Sequence, residues 1–254
     1  MAFLRAGGHR LEVRHLGGRD AMAPTIVFLH EGLGCISMWR DFPQQVVDAT
    51  GCNALVYSRF GYGRSDPIDA PRGVDFMHRE ALDTLPELLD QFGIERPILF
   101  GHSDGGSIAL IHAGGAARDV RGVIVMAPHV LVEDLSIRSI EAARVAYETT
   151  DLRARLARHH DDPDSAFRGW NDIWLHPDFR AWNIESYLPG ITCPVLAIQG
   201  VDDEYGTLDQ IHRIARGAPD VELLELQDCR HSPHRDQPQA VIEAVASFVR
   251  RIPS

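Results

Sequence analysis

Apolar residues in this chain gather into runs of strand length, and the spacing between the runs sets the architecture. The opening segment alternates around Gly7-Gly8 as far as about Leu16, which predicts a β-hairpin. Further runs stand at 25–30, 53–57, 97–101, 122–127, 194–199 and 221–226, most of them separated by helix-length segments. That alternation predicts an α/β fold: a mostly parallel sheet, covered by helices on both faces, because parallel strands need crossovers that pack back on the sheet. Helical spacing is plain at 77–92, with Ala81, Leu82, Leu85, Leu88 and Leu89. It recurs at 237–251, with Val241, Ile242, Val245, Phe248 and Val249.

One interval breaks the rhythm. About 65 residues separate the run at 122–127 from the run at 194–199, far more than one crossover helix requires. The excess holds good helix formers from Ile140 to His159, then an aromatic stretch with Phe167, Trp170, Trp174, Phe179 and Trp182. The expectation is a core built from 1–128 and 191–254, with an inserted helical cap over 129–190 at the C-terminal edge of the sheet. The run Gly61-Tyr62-Gly63-Arg64-Ser65 lacks the third glycine of a dinucleotide loop and reads as a turn.

Composition narrows the functions. A chain of 254 residues with 44% hydrophobic content closes a large core without disulfides or metal. The net charge of -11 argues against nucleic acid as a partner, since phosphate binding needs clustered positive charge. All 25 basic residues are arginine, so Schiff-base catalysis, a pyridoxal anchor and a Walker-type phosphate loop are excluded. Cys35, Cys52, Cys193 and Cys229 are too far apart to suggest a zinc knuckle or redox dithiol, and they read as buried or idle thiols. No stretch approaches the ~20 apolar residues of a membrane span, and the first residues lack a signal-peptide run. A cytoplasmic protein with no membrane partner is expected.

The chemistry concentrates at Gly101-His102-Ser103-Asp104-Gly105-Gly106, between a strand-like run and the helix-like Ser107–His112. A serine at such a strand-to-helix turn is thrust above the sheet, and the following helix N-terminus favours developing negative charge. A serine hydroxyl is a weak nucleophile at neutral pH, so it needs a base, and the base needs a third group to fix its tautomer. Later strand ends supply candidates: Gln199-Gly200 leads into Val201-Asp202-Asp203-Glu204, and Asp228-Cys229-Arg230 leads into His231. The order serine, acid, histidine is the one this architecture uses.

On these motifs the chain resembles the α/β-hydrolase superfamily over nearly its whole length, and within it the lid-bearing esterases and carbon–carbon bond hydrolases. The resemblance implies a nucleophile at Ser103, an acid at Asp203, three residues after Gly200, and a base at His231. It also implies an oxyanion hole. The segment His30-Glu31-Gly32-Leu33-Gly34 corresponds to the family's His-Gly motif, which makes Gly32 one backbone donor, and Asp104 supplies the other. Trp170, Trp174 and Trp182 are candidate substrate walls beneath the cap. No cofactor or metal is needed.

Two positions depart from the family pattern. Glu31 stands where a glycine is usual, to tune the mouth of the site or make a structural hydrogen bond. Arg230 replaces the glycine before the catalytic histidine, either to pair with a surface acid or to hold a substrate carboxylate. His234 is a rival base, and the His159-His160-Asp161-Asp162-Pro163-Asp164 cluster reads as a solvated turn rather than a metal site. Hydrolysis of a small carboxylic ester through an acyl-enzyme is the leading expectation. Carbon–carbon cleavage of a diketone-like ring-fission product is the alternative, and a triad-bearing small-molecule receptor is the alternative of another class.

Overall fold

The computed structural model describes residues 2–252. Eight strands form one sheet: β1 Ala2–Ala6, β2 His9–Leu16, β3 Thr25–Leu29, β4 Asn53–Ser58, β5 Ile98–His102, β6 Gly122–Met126, β7 Val195–Gly200 and β8 Val221–Leu226. Their spatial order is β1-β2-β4-β3-β5-β6-β7-β8. The opening hairpin sets β2 antiparallel to both β1 and β4, and every later pairing is parallel.

The strand period of two separates the core into two layers. Ile26, Phe28, Ala54, Val56, Ile98, Phe100, Ile124 and Met126 face one layer, packed by helix α1 (Phe42–Thr50) and, at the other end of the chain, by the helix Pro238–Arg251. Val27, Leu29, Leu55, Tyr57, Leu99, Val123 and Val125 face the other, beneath α2 (Phe76–Arg79), α3 (Leu85–Gln91) and α4 (Asp104–Gly115). The central strands are buried on both sides, which is why they read as continuous apolar runs. At the sheet edge β8 exposes Glu222, Leu223 and Glu225.

The helix expected over 77–92 is interrupted. A π-helical turn at Glu80–Thr84 joins α2 to α3. Pro86 has no N–H to give to the carbonyl four residues back, and its ring crowds that carbonyl, so the turn widens before it.

Between β6 and β7 the chain forms α5 (Asp134–Thr149), α6 (Leu152–Leu156) and α7 (Pro163–Trp174), then 3-10 turns at Pro177–Ala181 and Glu185–Gly190. The helical run expected from Ile140 to His159 begins earlier and breaks at Thr150-Asp151. The hydroxyls of Thr149 and Thr150 turn back to the carbonyls of Val145 and Ala146 at 2.7 and 2.6 Å, competing with continued helix. Asp162 then caps α7, accepting from the Ser165 N–H at 2.8 Å, with Pro163 in the first turn.

In the His159–Asp164 cluster Asp161 and Asp162 are exposed, as a solvated turn has them, but His160 departs from that expectation. His160 is buried: Gly63 N–H donates to its Nδ1 and its Nε2–H donates to the Leu33 carbonyl, each at 2.9 Å. The ring thus ties the 129–190 segment to two loops of the sheet.

Helix α4 lies so close to β3 that Gly105 has no room for a side chain, because an added Cβ would sit 2.0 Å from the Leu29 carbonyl oxygen. Backbone cannot yield there as a side chain can. Gly105→Ala is expected to destabilise the fold by about 3 kcal/mol, at the top of the usual overpacking range, in urea unfolding. A variant as stable as the parent would show that α4 and β3 are not in this contact.

Candidate active site

Strand β5 ends at His102, and Ser103 follows with φ 52° and ψ -119°, a conformation non-glycine residues rarely adopt. Such strain costs of order 1–3 kcal/mol and persists only when surrounding structure enforces it. Here it is enforced on both sides. Ser103 N–H donates to the Met126 carbonyl at 2.9 Å, and the Ser103 carbonyl accepts from Gly106 and Ser107 at 2.8 and 3.1 Å. Gly101 is also obligatory, since a Cβ there would lie 2.2 Å from the Gly105 carbonyl oxygen.

The Ser103 hydroxyl lies 3.0 Å from Nε2 of His231. On the far side of the ring, Nδ1 is 2.8 and 2.9 Å from the two carboxylate oxygens of Asp203. Since a carboxylate only accepts, Nδ1 carries the proton and Nε2 is free to take one from the serine. Asp203 is fixed in turn by the N–H groups of Tyr205 and Gly206 at 2.8 and 3.3 Å and by the Gln199 amide at 2.6 Å. Asp202 is exposed, and its N–H donates to the Cys229 carbonyl. The structure therefore brings Ser103, His231 and Asp203 together and leaves Asp202 out. His234 packs instead against Trp39, Phe42 and His102.

Charge shapes this array. Burial works against a protonated His231, but the Asp203 carboxylate, helped by Glu204 and Glu31, prevails and holds the imidazole above its usual value. Burial likewise works to raise Asp203, and the charge and hydrogen bond of His231 hold it below. His129, packed beside His231 at 5.9 Å between ring centres, is pushed down to about 3 by burial and by that neighbour's charge. It is a neutral wall.

A cavity of about 110 Å³ opens over Ser103, lined by Glu31, Gly32, Leu33, His129, Ile140, Trp170, Trp174, Tyr205 and His231. Trp170 and Trp174 are in this lining, as the sequence leads one to expect, whereas Trp182 is not. It follows the Pro177–Ala181 turn and stacks on Phe179 at 5.4 Å, behind Trp174, so it serves the core. Gly32 approaches Trp170 so closely that a Cβ would sit 2.2 Å from the indole. Asp104 begins α4; its carboxylate is buried, accepts the Trp174 indole N–H at 3.2 Å and is pushed up by burial against the opposing pull of Arg59. Sequence reasoning missed His129, Leu33, Ile140 and Tyr205. His129 and Tyr205 had a signal, since each follows a strand end on the same sheet edge as Ser103.

Glu31 both lines the cavity and reaches His102, whose Nδ1 is 3.3 Å from its carboxylate. Burial would raise its carboxyl, but His102, with His234 and His30 behind it, holds it well below the usual carboxylate range. Arg230 is exposed and outside the cavity lining; its N–H donates to Asp236. Among the described residues no cluster of His, Cys, Asp and Glu is arranged to hold a metal ion. No described helix is long and apolar enough to cross a membrane, and all four cysteines are buried and unpaired.

The fold and this serine–histidine–aspartate geometry define an α/β hydrolase, and comparison with known proteins agrees. The chain belongs to the alpha/beta hydrolase family, whose model matches residues 26–244, and it is an enzyme. A proline iminopeptidase of Saccharolobus solfataricus is 25% identical, with 90% of this chain and 85% of that protein aligned. A 2-hydroxy-6-oxononadienedioate/2-hydroxy-6-oxononatrienedioate hydrolase of Cupriavidus pinatubonensis is 25% identical, with 92% and 90% aligned. Among solved structures, the enol-lactonase of Burkholderia xenovorans superposes with a TM-score of 0.77 at 22% identity, covering 98% of this chain and all of that one.

The geometry predicts which carboxylate matters. Asp203→Asn should lower turnover about 10⁴-fold, as loss of the orienting acid does in serine proteases, while Asp202→Asn changes it less than about threefold. A histidine base works only when neutral, so if His231 has that role, activity of the parent should fall with decreasing pH through a midpoint above 6.5. In Asp203→Asn the residual activity should show that midpoint displaced to lower pH. Equal losses in both variants, or an unmoved midpoint, would contradict the assignment.

Proposed function

We propose that this enzyme hydrolyses small, uncharged carboxylic esters through an acyl-enzyme on Ser103. The observation that carries the reading is the continuous hydrogen-bonded chain from the Ser103 hydroxyl through His231 to Asp203, opening onto a small, largely apolar cavity.

Ser103 Oγ attacks the ester carbonyl while His231 Nε2 takes its proton, and Asp203 holds the imidazolium that forms. The N–H groups of Gly32 and Asp104 receive the developing oxyanion, a contribution of roughly 3–4 kcal/mol per donor in comparable sites. His231 then gives its proton to the departing alkoxide, and a water activated by the same nitrogen releases the acid. The chemistry calls for no cofactor. Residues 129–190 act as a cap, with Trp170 and Trp174 forming the substrate wall.

Size and charge support this substrate class. A cavity of about 110 Å³ is well below the ~300–1,000 Å³ of typical ligand pockets, so a short acyl or alkyl group fits. Its only acidic lining residue, Glu31, already pairs outside the lining with Arg235 at 3.7 Å and His102 at 3.3 Å, and the lining holds no arginine to receive a substrate carboxylate. The carbon–carbon hydrolase relatives are named for dienoate and dioate substrates, which carry carboxylates. Such groups would find no arginine in the lining to pair with.

A fluorophosphonate should label Ser103 alone, and Ser103→Ala should abolish labelling and turnover together. Across p-nitrophenyl esters from acetate to octanoate, run beside a ring-fission diketone, kcat/KM should peak at the short end. Trp174→Ala, which enlarges the cavity, should move the peak toward longer chains by several-fold. Labelling at another residue, preference for the diketone, or specific binding without turnover would each defeat the proposal.

A further inference from the structure

Arg59 is 1% exposed, yet it carries a guanidinium that no substrate-facing role explains. Its Nη2 donates to the carbonyls of His30 and Glu31 at 3.1 and 3.0 Å, and the same nitrogen is 3.8 Å from the Asp104 carboxylate. Its backbone N–H donates to Nε2 of His30 at 2.9 Å. Because that nitrogen accepts, the His30 proton sits on Nδ1, which donates to the Glu31 carbonyl at 2.7 Å. Burial, reinforced by the Arg59 charge, keeps this ring neutral.

The consequence follows from the planarity of the peptide bond. The Glu31 carbonyl and the Gly32 N–H belong to one trans peptide unit, so they point in opposite directions. With the carbonyl oxygen held by two buried side-chain donors, His30 and Arg59, and by the Gly34 N–H at 3.0 Å, the Gly32 N–H is turned away from Arg59, on the side of the cavity that Gly32 lines. A flip of this peptide would lose all three hydrogen bonds on this oxygen. The same guanidinium pairs with the carboxylate of Asp104, the residue whose N–H is the second proposed donor.

We propose that Arg59 is the positioning residue of the oxyanion hole: it locks the 31–32 peptide so that Gly32 N–H faces the reacting carbonyl, and it anchors the first turn of α4 that presents Asp104 N–H. It touches no substrate. The inference rests on Gly32 and Asp104 being the donors of the proposed ester chemistry.

The test uses phosphonylation of Ser103 by a fluorophosphonate, a reaction whose transition state also develops charge on an oxygen, with rates resolved into kinact and KI. In Arg59→Met, kinact should fall roughly 100-fold, as when one oxyanion donor is lost, while KI changes less than about twofold. The pH midpoint of labelling should stay at the parent value, because His231 and Asp203 are untouched. Arg59→Lys keeps the buried charge beside Asp104 with a single ammonium in place of the fork, and kinact should fall about 10-fold. If Arg59→Met does not fold by circular dichroism, the lysine variant carries the test alone. Parental kinact in the folded variants, a loss confined to KI, or a displaced pH midpoint would overturn the role of Arg59. An unlabelled parent enzyme would instead overturn the serine hydrolase reading and this one with it.

Discussion

The close approach of α4 to the sheet is the constraint on which the site depends. A helix can begin one residue after β5 only if the chain reverses at Ser103 in a left-handed conformation and no side chain intervenes at Gly101 or Gly105. Those requirements raise the serine hydroxyl above the sheet and point the free N–H groups of a helix start at the same volume. They also bury the whole first half of α4, so the elbow cannot relax without disturbing the core. Strain at Ser103 is thus maintained by packing against β3 and β6.

Electrostatics complete what packing begins. Five histidines lie close to the reaction volume, but their environments divide them. His231 faces a buried carboxylate and is held above its usual value, while His30, His129 and His234 are buried against cations or one another and are held below. In the proposed mechanism one imidazole cycles its proton, and the three held below serve as neutral structure. His102 ties the parts together, its Nε2–H on the His231 carbonyl at 2.6 Å and its Nδ1 beside Glu31. Glu31 therefore braces the loop of His231 through His102 as well as lining the cavity.

Much of this was legible in the sequence, for identifiable reasons. Buried parallel strands read as apolar runs, and loops at their ends hold Ser103, Asp203 and His231 at countable offsets. Gly200 is hemmed in by the Cys229 and Arg230 carbonyls, so the count from it to Asp203 has a steric basis. What escaped depends on distant segments meeting. Trp170 and Trp182 are equally aromatic in sequence, but one faces Gly32 and the other stacks behind Trp174. His160 looked like part of a polar turn because its partners, Gly63 and Leu33, are about 100 residues away or more. Arg59 offered no signal, since a buried arginine among apolar strands is recognised only once its carbonyl partners are known.

The central claim, that chemistry proceeds through an ester of Ser103, is tested most directly by rapid-quench mass spectrometry during turnover of p-nitrophenyl acetate. The account predicts a burst of nitrophenolate matched by one added acetyl group, confined to the peptide containing Ser103 and absent in Ser103→Ala. Turnover with no acetylated protein under burst conditions, or acetylation of another side chain with Ser103→Ala still active, would contradict it.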